Sequence, residues 1–181
     1  MSQHKILRLK QRHGWKCKPG HKIFVLDRGA VRFDVPEDWI VKIQESSVKM
    51  HDQEPPGDNC TLEVSNFRLP PIDWSGLPMR ELLAGSVGES EQEELERSEI
   101  VESRRGDLEL AWLESRYIDK EQQREAKTRV SIARTTGVAC LITYSYWANE
   151  SAGWEAVWDD VHRSIVLGVY VQDPTQGPVT H

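Results

Sequence analysis

Val138-Ala-Cys-Leu-Ile-Thr-Tyr-Ser-Tyr-Trp147, followed after a polar break by Gly153-Trp-Glu-Ala-Val-Trp-Asp-Asp-Val-His-Arg-Ser-Ile165, is the stretch whose reading decides the fold. In its first half Val138, Cys140, Ile142, Tyr144 and Tyr146 share one face of an extended chain, and Ala139, Leu141, Thr143, Ser145 and Trp147 share the other. Neither face is strongly polar, which predicts a central strand with both sides covered. In the second half Trp154, Val157, Trp158, Val161 and Ile165 fall on one helical stripe. A helix near 150–167 is predicted, capped by Asn149 or Ser151 and stopped by Gly168. The stripe assigns Trp154 and Trp158 to the core. Only Tyr146 and Trp147, at the strand's end, stay available for a ligand or partner surface.

Upstream of this unit, Ile100 to Arg105, Leu108 to Ile118 and Ala126 to Arg134 read as strands, separated by Arg105-Gly106-Asp107 and followed by the Thr136-Gly137 turn. Connections this short exclude parallel crossovers, so an antiparallel meander is expected. Nearer the N-terminus, Lys22 to Leu26 and Val31 to Val35 form a hairpin, since Val31, Phe33 and Val35 alternate with Arg32 and Asp34. Trp39 to Ile43, Val48 to His51 and Cys60 to Leu69 are further strands, bounded by Pro36, by Pro55-Pro56-Gly57 and by Pro70-Pro71. Met79, Leu82, Leu83 and Val87 fall at helical spacing after Ser75, a candidate N-cap, predicting a helix near 76–87. Glu89 to Glu99 holds six glutamates and one arginine and reads as a solvated loop or frayed helix.

The 181 residues suit one domain with its own core, and 38% hydrophobic content with seven tryptophans is ordinary for a folded chain. The expected organisation is a basic N-terminal segment over 1–21, a single α+β domain over 22–170 and a flexible tail over 171–181, which carries Pro174, Gly177 and Pro178. Cys17, Cys60 and Cys140 are odd in number and far apart, which fits reduced thiols. A secretory signal needs an apolar run of roughly 7 to 15 residues. The first 22 residues instead alternate charge with single apolar side chains. A cytoplasmic protein without membrane segments is expected.

Formal net charge is −6, but residues 1 to 26 carry seven Lys or Arg and no acid, leaving 16 bases against 29 acids in the rest. A basic arm on an acidic body can grip nucleic acid or an acidic partner, with Trp15, Lys16 and Lys18 as contact residues, or it can fold back on its own domain. Trp15 and the turn at Lys18-Pro19-Gly20 favour the tethered arrangement, and the acidic body would repel a nucleic acid.

No catalytic residue, metal site or cofactor is assigned from the sequence. Ser164 and His162 are two apart on the helix, about 200° around its axis, and cannot meet. Asp159 and His162 are three apart and form a pair, but metal sites take three or four ligands, and a surface pair is the expectation. His51, Asp52 and Glu54 diverge in an extended segment. His4, His13 and His21 lack zinc spacing to any cysteine pair, and no phosphate-cradling glycine loop, His-Glu-x-x-His pattern or nucleophile elbow is present.

Val31-Arg-Phe-Asp-Val-Pro-Glu-Asp-Trp39 resembles the F-x-x-P-x-x-W opening of the PsbP-like superfamily, and Ser164-Ile-Val-Leu167 is similar to the Ser-hydrophobic-x-Leu close of its C-terminal helix. The resemblance follows element order over about 22 to 168 and marks an uncharacterised bacterial-type member. It implies an α/β/α sandwich around a central antiparallel sheet. It also implies a binding module, since members include photosystem accessory subunits and a nuclear-transport factor that binds a small GTPase. The matched positions are core and turn residues, so no functional residue is carried over. The expected function is therefore a non-enzymatic binding or accessory module for a protein or small ligand. Nucleic-acid or acidic-partner binding through residues 1–21, and an enzyme with a motif not visible in the sequence, are the alternatives. A homodimer through a sheet edge is an open arrangement.

Overall fold

Strand β10 (Val138–Trp147) is hydrogen-bonded along its length to β5 (Cys60–Arg68) on one side and β9 (Arg124–Arg134) on the other, both antiparallel. The computed structural model describes residues 14–88 and 93–170. Around β10 an eight-stranded antiparallel sheet is completed by β3 (Ile40–Ile43), β4 (Val48–His51), β8 (Leu108–Asp119) and two short strands on the far side of β8, β6 (Glu93–Arg97) and β7 (Val101–Arg105). A second, three-stranded sheet joins β1 (His21–Leu26), β2 (Val31–Pro36) and β11 (Val166–Leu167).

Helices α1 (Met79–Ser86) and α2 (Ser151–Ser164) lie on opposite faces of the large sheet. Under α2 and the small sheet sits the main core, where Val31, Phe33 and Val35 meet Leu62, Val64, Ile142, Tyr144, Trp158, Val161 and Ile165. Trp158 is 1% exposed, its ring stacked 5.5 Å from Tyr144 and edge-on 5.6 Å from Trp112. On the other face Met79 and Leu83 of α1 close over Ala111, Leu113 and Ile132. This is the α+β, α/β/α sandwich expected from the sequence. The even positions of β10 are all buried, while Leu141, Thr143, Ser145 and Trp147 on the other face are half-buried because α1 packs chiefly on β8 and β9.

Several element ends differ from expectation. The predicted 76–87 helix begins at Met79, because the preceding residues turn: Asp73 Oδ1 accepts the Ser75 N–H at 2.9 Å, and Leu77 N–H donates to Trp74 O. Ser75 is no cap. The predicted 150–167 helix stops at Ser164, since Ile165 is extended (φ −60°, ψ 131°) and Val166 and Leu167 pair with Arg32 and Val31 of β2. A strand partner outcompetes three more helical residues. Glu150 precedes the helix without a side-chain cap, and Asn149 instead accepts from Arg124 at 2.5 Å. Residues 93–97, expected to be a loop or frayed helix, are strand β6, because the long β8 offers backbone groups that need partners while the glutamates stay in water.

Turns fix the small sheet. Gly29 has φ +107°, and a Cβ there would lie 2.1 Å from the Val169 carbonyl oxygen, so the chain's last described turn is packed directly on glycine backbone. The expectations on residues 1–13, 89–92 and 171–181 lie outside the described residues.

Candidate functional site

The N-terminal segment is strapped to the body at the C-terminal end of α2. Lys18 Nζ reaches Asp160 Oδ2 at 2.8 Å, and the same carboxylate lies 3.2 Å from His21 Nε2 and 3.1 Å from Arg163. Burial pushes the Asp160 carboxyl up, yet the hydrogen bond and charge of Lys18, with His21 and Arg163, bring it below the usual carboxylate range. Glu37 N–H donates to Gly20 O, and the Cys17 thiol donates to His21 O at 3.1 Å. Upstream of these ties, the Arg32 guanidinium lies 4.4 Å above the Trp15 ring.

Between strap and body lies a cavity of about 340 Å³ lined by Gly14, Trp15, Lys16, Ile23, Arg32, Asp34 and Ser164. Arg32 and Asp34 reach it from alternate positions of β2, facing outward while Val31, Phe33 and Val35 face the core. Both are partly dehydrated: burial lowers the Arg32 pKa and raises that of Asp34. Ser164 is held by both sides, its hydroxyl donating to Asp160 O at 2.7 Å and accepting the Asp34 N–H at 2.8 Å. The wall therefore presents two cations, one carboxylate, an aromatic ring and a fixed hydroxyl.

Three of the five candidate surface residues from the sequence meet here. Trp15 and Lys16 line the cavity, and Lys18 ties its strap down. Tyr146 and Trp147 do not join them. Tyr146 is 2% exposed, and its hydroxyl donates to Glu114 Oε2 at 3.0 Å, so it belongs to the interior rather than to a surface. Trp147, the next residue, points to the opposite face of the sheet, half-buried beneath the Arg124 guanidinium at 4.6 Å. Arg32, Asp34, Asp160 and Ser164 escaped sequence reading. The Arg32/Asp34 alternation marked an outward face of β2, but nothing local said that the strap returns to cover it.

A second concentration of charge lies between α2 and the sheet. Arg129, 8% exposed, donates to Glu114 Oε2 at 2.6 Å and lies within 6 Å of the Trp112, Tyr146 and Trp158 rings. Lys127 reaches Glu114 at 3.1 Å and Glu155 of α2 at 3.8 Å. Burial raises the Glu114 carboxyl, but Arg129, Lys127 and Tyr146 hold it below the ordinary value overall. With both cations answered by carboxylates, the cluster docks the helix.

His162 belongs to the same interior and not to a surface pair with Asp159. Its ring packs 4.1 Å from Trp158, and burial, with Arg105 and Arg129 nearby, pushes its pKa down to about 4. His162 and Ser164 are engaged separately, as their helical spacing requires. His51 Nδ1 lies 2.9 Å from Asp58, Asp52 accepts the Asn59 and Cys60 amides, and Glu54 turns out to Lys42, so these residues close the 52–60 loop. Among the described residues no three His, Cys, Asp or Glu side chains converge to hold a metal, and no helix is long and apolar enough to cross a membrane.

The sandwich, with two helices on opposite faces of an antiparallel sheet, is the PsbP-like fold. It superposes on the solution structure of cyanobacterial PsbP (CyanoP) from Synechocystis sp. PCC 6803 with a TM-score of 0.58 at 14% identity, covering 85% of this chain and 98% of that one. A crystal structure from Bacteroides thetaiotaomicron VPI-5482 also gives 0.58, at 13% identity over 82% of this chain, which spans about half (49%) of that longer protein. The Ran-binding protein Mog1p of Saccharomyces cerevisiae gives 0.50 at 14% identity, covering 81% of this chain and 95% of that one. More specifically, the Alr1449 family model matches residues 22–171, and the chain belongs to that family. "Uncharacterized protein alr1449" from Nostoc sp. (strain PCC 7120) is 42% identical over 172 residues, covering 94% of this chain and 90% of that protein.

Proposed function

We propose that this protein is a non-enzymatic binding or accessory module, and that it holds a small polar ligand or the terminus of a peptide in the cavity between the N-terminal strap and β2. The cavity itself carries the reading: about 340 Å³ lined by Trp15, Lys16, Arg32, Asp34 and Ser164. A half-buried cation and a half-buried carboxylate that have lost part of their hydration gain from a ligand that restores it. An anionic group suits Lys16 and Arg32, and a hydrogen-bond donor suits Asp34, so amino acids and peptide termini match the wall. That Mog1p, of the same fold, is a Ran-binding protein is in keeping with a binding role, without naming a partner here.

The proposal includes a reducing, cytoplasmic setting. Cys60 and Cys140 are buried unpaired thiols, and burial pushes Cys140 up to about 12, which makes them inert packing groups.

Titration calorimetry of the full chain with a panel of amino acids, dicarboxylates and short peptides tests this reading. At least one compound is expected to bind and to lose about tenfold or more in affinity on Arg32→Ala or Asp34→Asn, since each removes a paired charge. Affinity unchanged in both variants, or no binding across the panel, would remove the cavity from the account.

A further inference from the structure

The large sheet ends beyond β8 in an edge made of β7 and β6 in one line. Arg105 stands beside Leu108, Arg104 beside Glu109, Ser103 beside Leu110, Glu102 beside Ala111 and Val101 beside Trp112. Ser98 N–H donates to Glu114 O, and then Arg97 stands beside Ser115, Glu96 beside Arg116, Glu94 beside Tyr117 and Glu93 beside Ile118. Every residue of both strands is exposed, Leu95 and Val101 each at 44%, and among the described residues no strand pairs with the outer side of this edge. Unpaired strand edges recruit other strands unless blunted by shortness, charge, proline or bulges, and a charged edge admits only a partner whose charges match it. The β6–β7 line has two irregularities, a register shift between Glu94 and Glu96 and an extra residue at 98–100 between the two strands, and no proline.

We propose that this edge is the interface of a homodimer in which two copies join β6–β7 edge to edge, antiparallel, about a twofold axis level with Leu113. The charges are self-complementary in that arrangement. Arg105 falls opposite the partner's Glu93, Arg104 opposite the partner's Glu94 and Glu102 opposite the partner's Arg97, and the axis repeats all three pairs. Ser103 meets the partner's Glu96, and Val101 meets the partner's Ser98. No like charges face each other at these ladder positions; Glu99, between Ser98 and Val101 at the level of the axis, lies beside the partner's Glu99, a repulsion that the six flanking pairs outweigh.

The faces agree as well. Leu108 and Leu110 belong to the core beneath α2, and Ala111 and Leu113 to the core beneath α1. By the strand's alternation Arg105 and Glu93 therefore lie on the α2 side, and Arg104, Glu94, Glu102 and Arg97 on the α1 side. Arg97 already holds Glu94 within its own strand at 2.5 Å, so the partner's Glu102 and Arg104 complete a row of four alternating charges. Register is specified too. Moving the axis one residue along, level with Trp112 or Glu114, sets Arg104 against the partner's Arg97 or Glu102 against the partner's Glu94. An isologous interface needs this kind of self-complementarity, and a site for an unrelated basic or acidic strand does not. Closing the open backbone groups and covering Leu95 and Val101 supply the attraction, while the charges choose partner and register.

Sedimentation equilibrium on the full chain across a wide concentration range is the test, with two double variants that reverse charge at the surface. Wild type is expected to form a dimer that weakens as salt is raised. Glu94→Arg with Glu102→Arg makes the α1-side row wholly basic, and Arg97→Glu with Arg104→Glu makes it wholly acidic. Each alone should weaken the dimer by about tenfold or more, and an equimolar mixture should restore it as a heterodimer. Should either double variant misfold, Glu94→Arg and Arg104→Glu carry the same mixing test as single substitutions. A chain that stays monomeric throughout, a dimer indifferent to both variants, or a mixture that fails to recover would each overturn the proposal.

Discussion

Within one sheet, β10 sets Tyr144 between Leu62 and Arg129 and stacks it on Trp158, whereas β6 leaves all five of its side chains in water. The two strands form the same kind of ladder, yet only one of them contributes side chains to a core. Stability resides where both faces of the sheet are covered. At the β6–β7 edge the chain is held by pairing with β8 and by exposed side-chain ties, Arg105 to carbonyls at the end of α2, Glu102 to Arg80 and Glu96 to Arg116. No side chain of either strand is buried in a core.

Breaking the covered region should have the larger consequences. Trp158→Ala is expected to cost roughly 3 to 5 kcal/mol in denaturant unfolding, because the ring is fully enclosed and its removal leaves a cavity among Trp112, Tyr144 and His162. Arg129→Met removes the charge that answers Glu114 in a buried setting and should cost about 3 kcal/mol, with Glu114→Gln in the same chain recovering part of it. A full loss from the single substitution with no recovery in the double would show that packing, not charge pairing, fixes that layer.

The same region has a pH signature. His162 is held at about 4 when folded against an ordinary 6.5, so between those values the unfolded chain takes up a proton that the folded chain refuses. Its contribution is intact above 6.5 and is lost as pH falls towards 4, by up to about 3 kcal/mol. His162→Phe should flatten that part of the stability profile. Asp160, held low, acts in the same direction further into acid, since its pairing with Lys18 disappears as the carboxyl protonates.

Moving outward, effects should shrink. Arg105→Ala deletes hydrogen bonds from an exposed guanidinium to the carbonyls of His162, Arg163 and Ile165 and is expected to cost about 1 kcal/mol. Glu93→Gln should change monomer stability by less than about 0.5 kcal/mol. A large loss from Glu93→Gln would mean that β6 is part of the core's energetics after all.

How far the molecule could be read from its sequence follows the same divide. Burial imposes periodicity, so the alternation of 138–147 and the stripe of Trp154, Val157, Trp158, Val161 and Ile165 announced β10 and α2. Exposure imposes none, and the glutamates of β6 gave no strand pattern even though β8 pairs with it. Helix α2 ended early because Val166 and Leu167 found a partner in β2, more than 130 residues away in sequence, as Val31 pairs with Leu167. Tyr146 and His162 were misplaced for one reason: amphipathic side chains at the rim of an apolar pattern read as surface, and only the positions of Glu114 and Arg129 show that they are enclosed. Trp15, Lys16 and Lys18 were recognisable as a group, while Arg32, Asp34 and Ser164 became visible only when the strap folded over β2.

The central claim is that one sheet has a stabilising interior strand and an edge kept open for a second copy. Hydrogen exchange of individual amides at low and high protein concentration tests it most directly. The account predicts that amides of β10 exchange at the rate set by global unfolding at both concentrations, while the outward amides of β6 and β7 exchange fast when dilute and gain protection when concentrated. Outward β6 and β7 amides whose exchange is the same at both concentrations would contradict it.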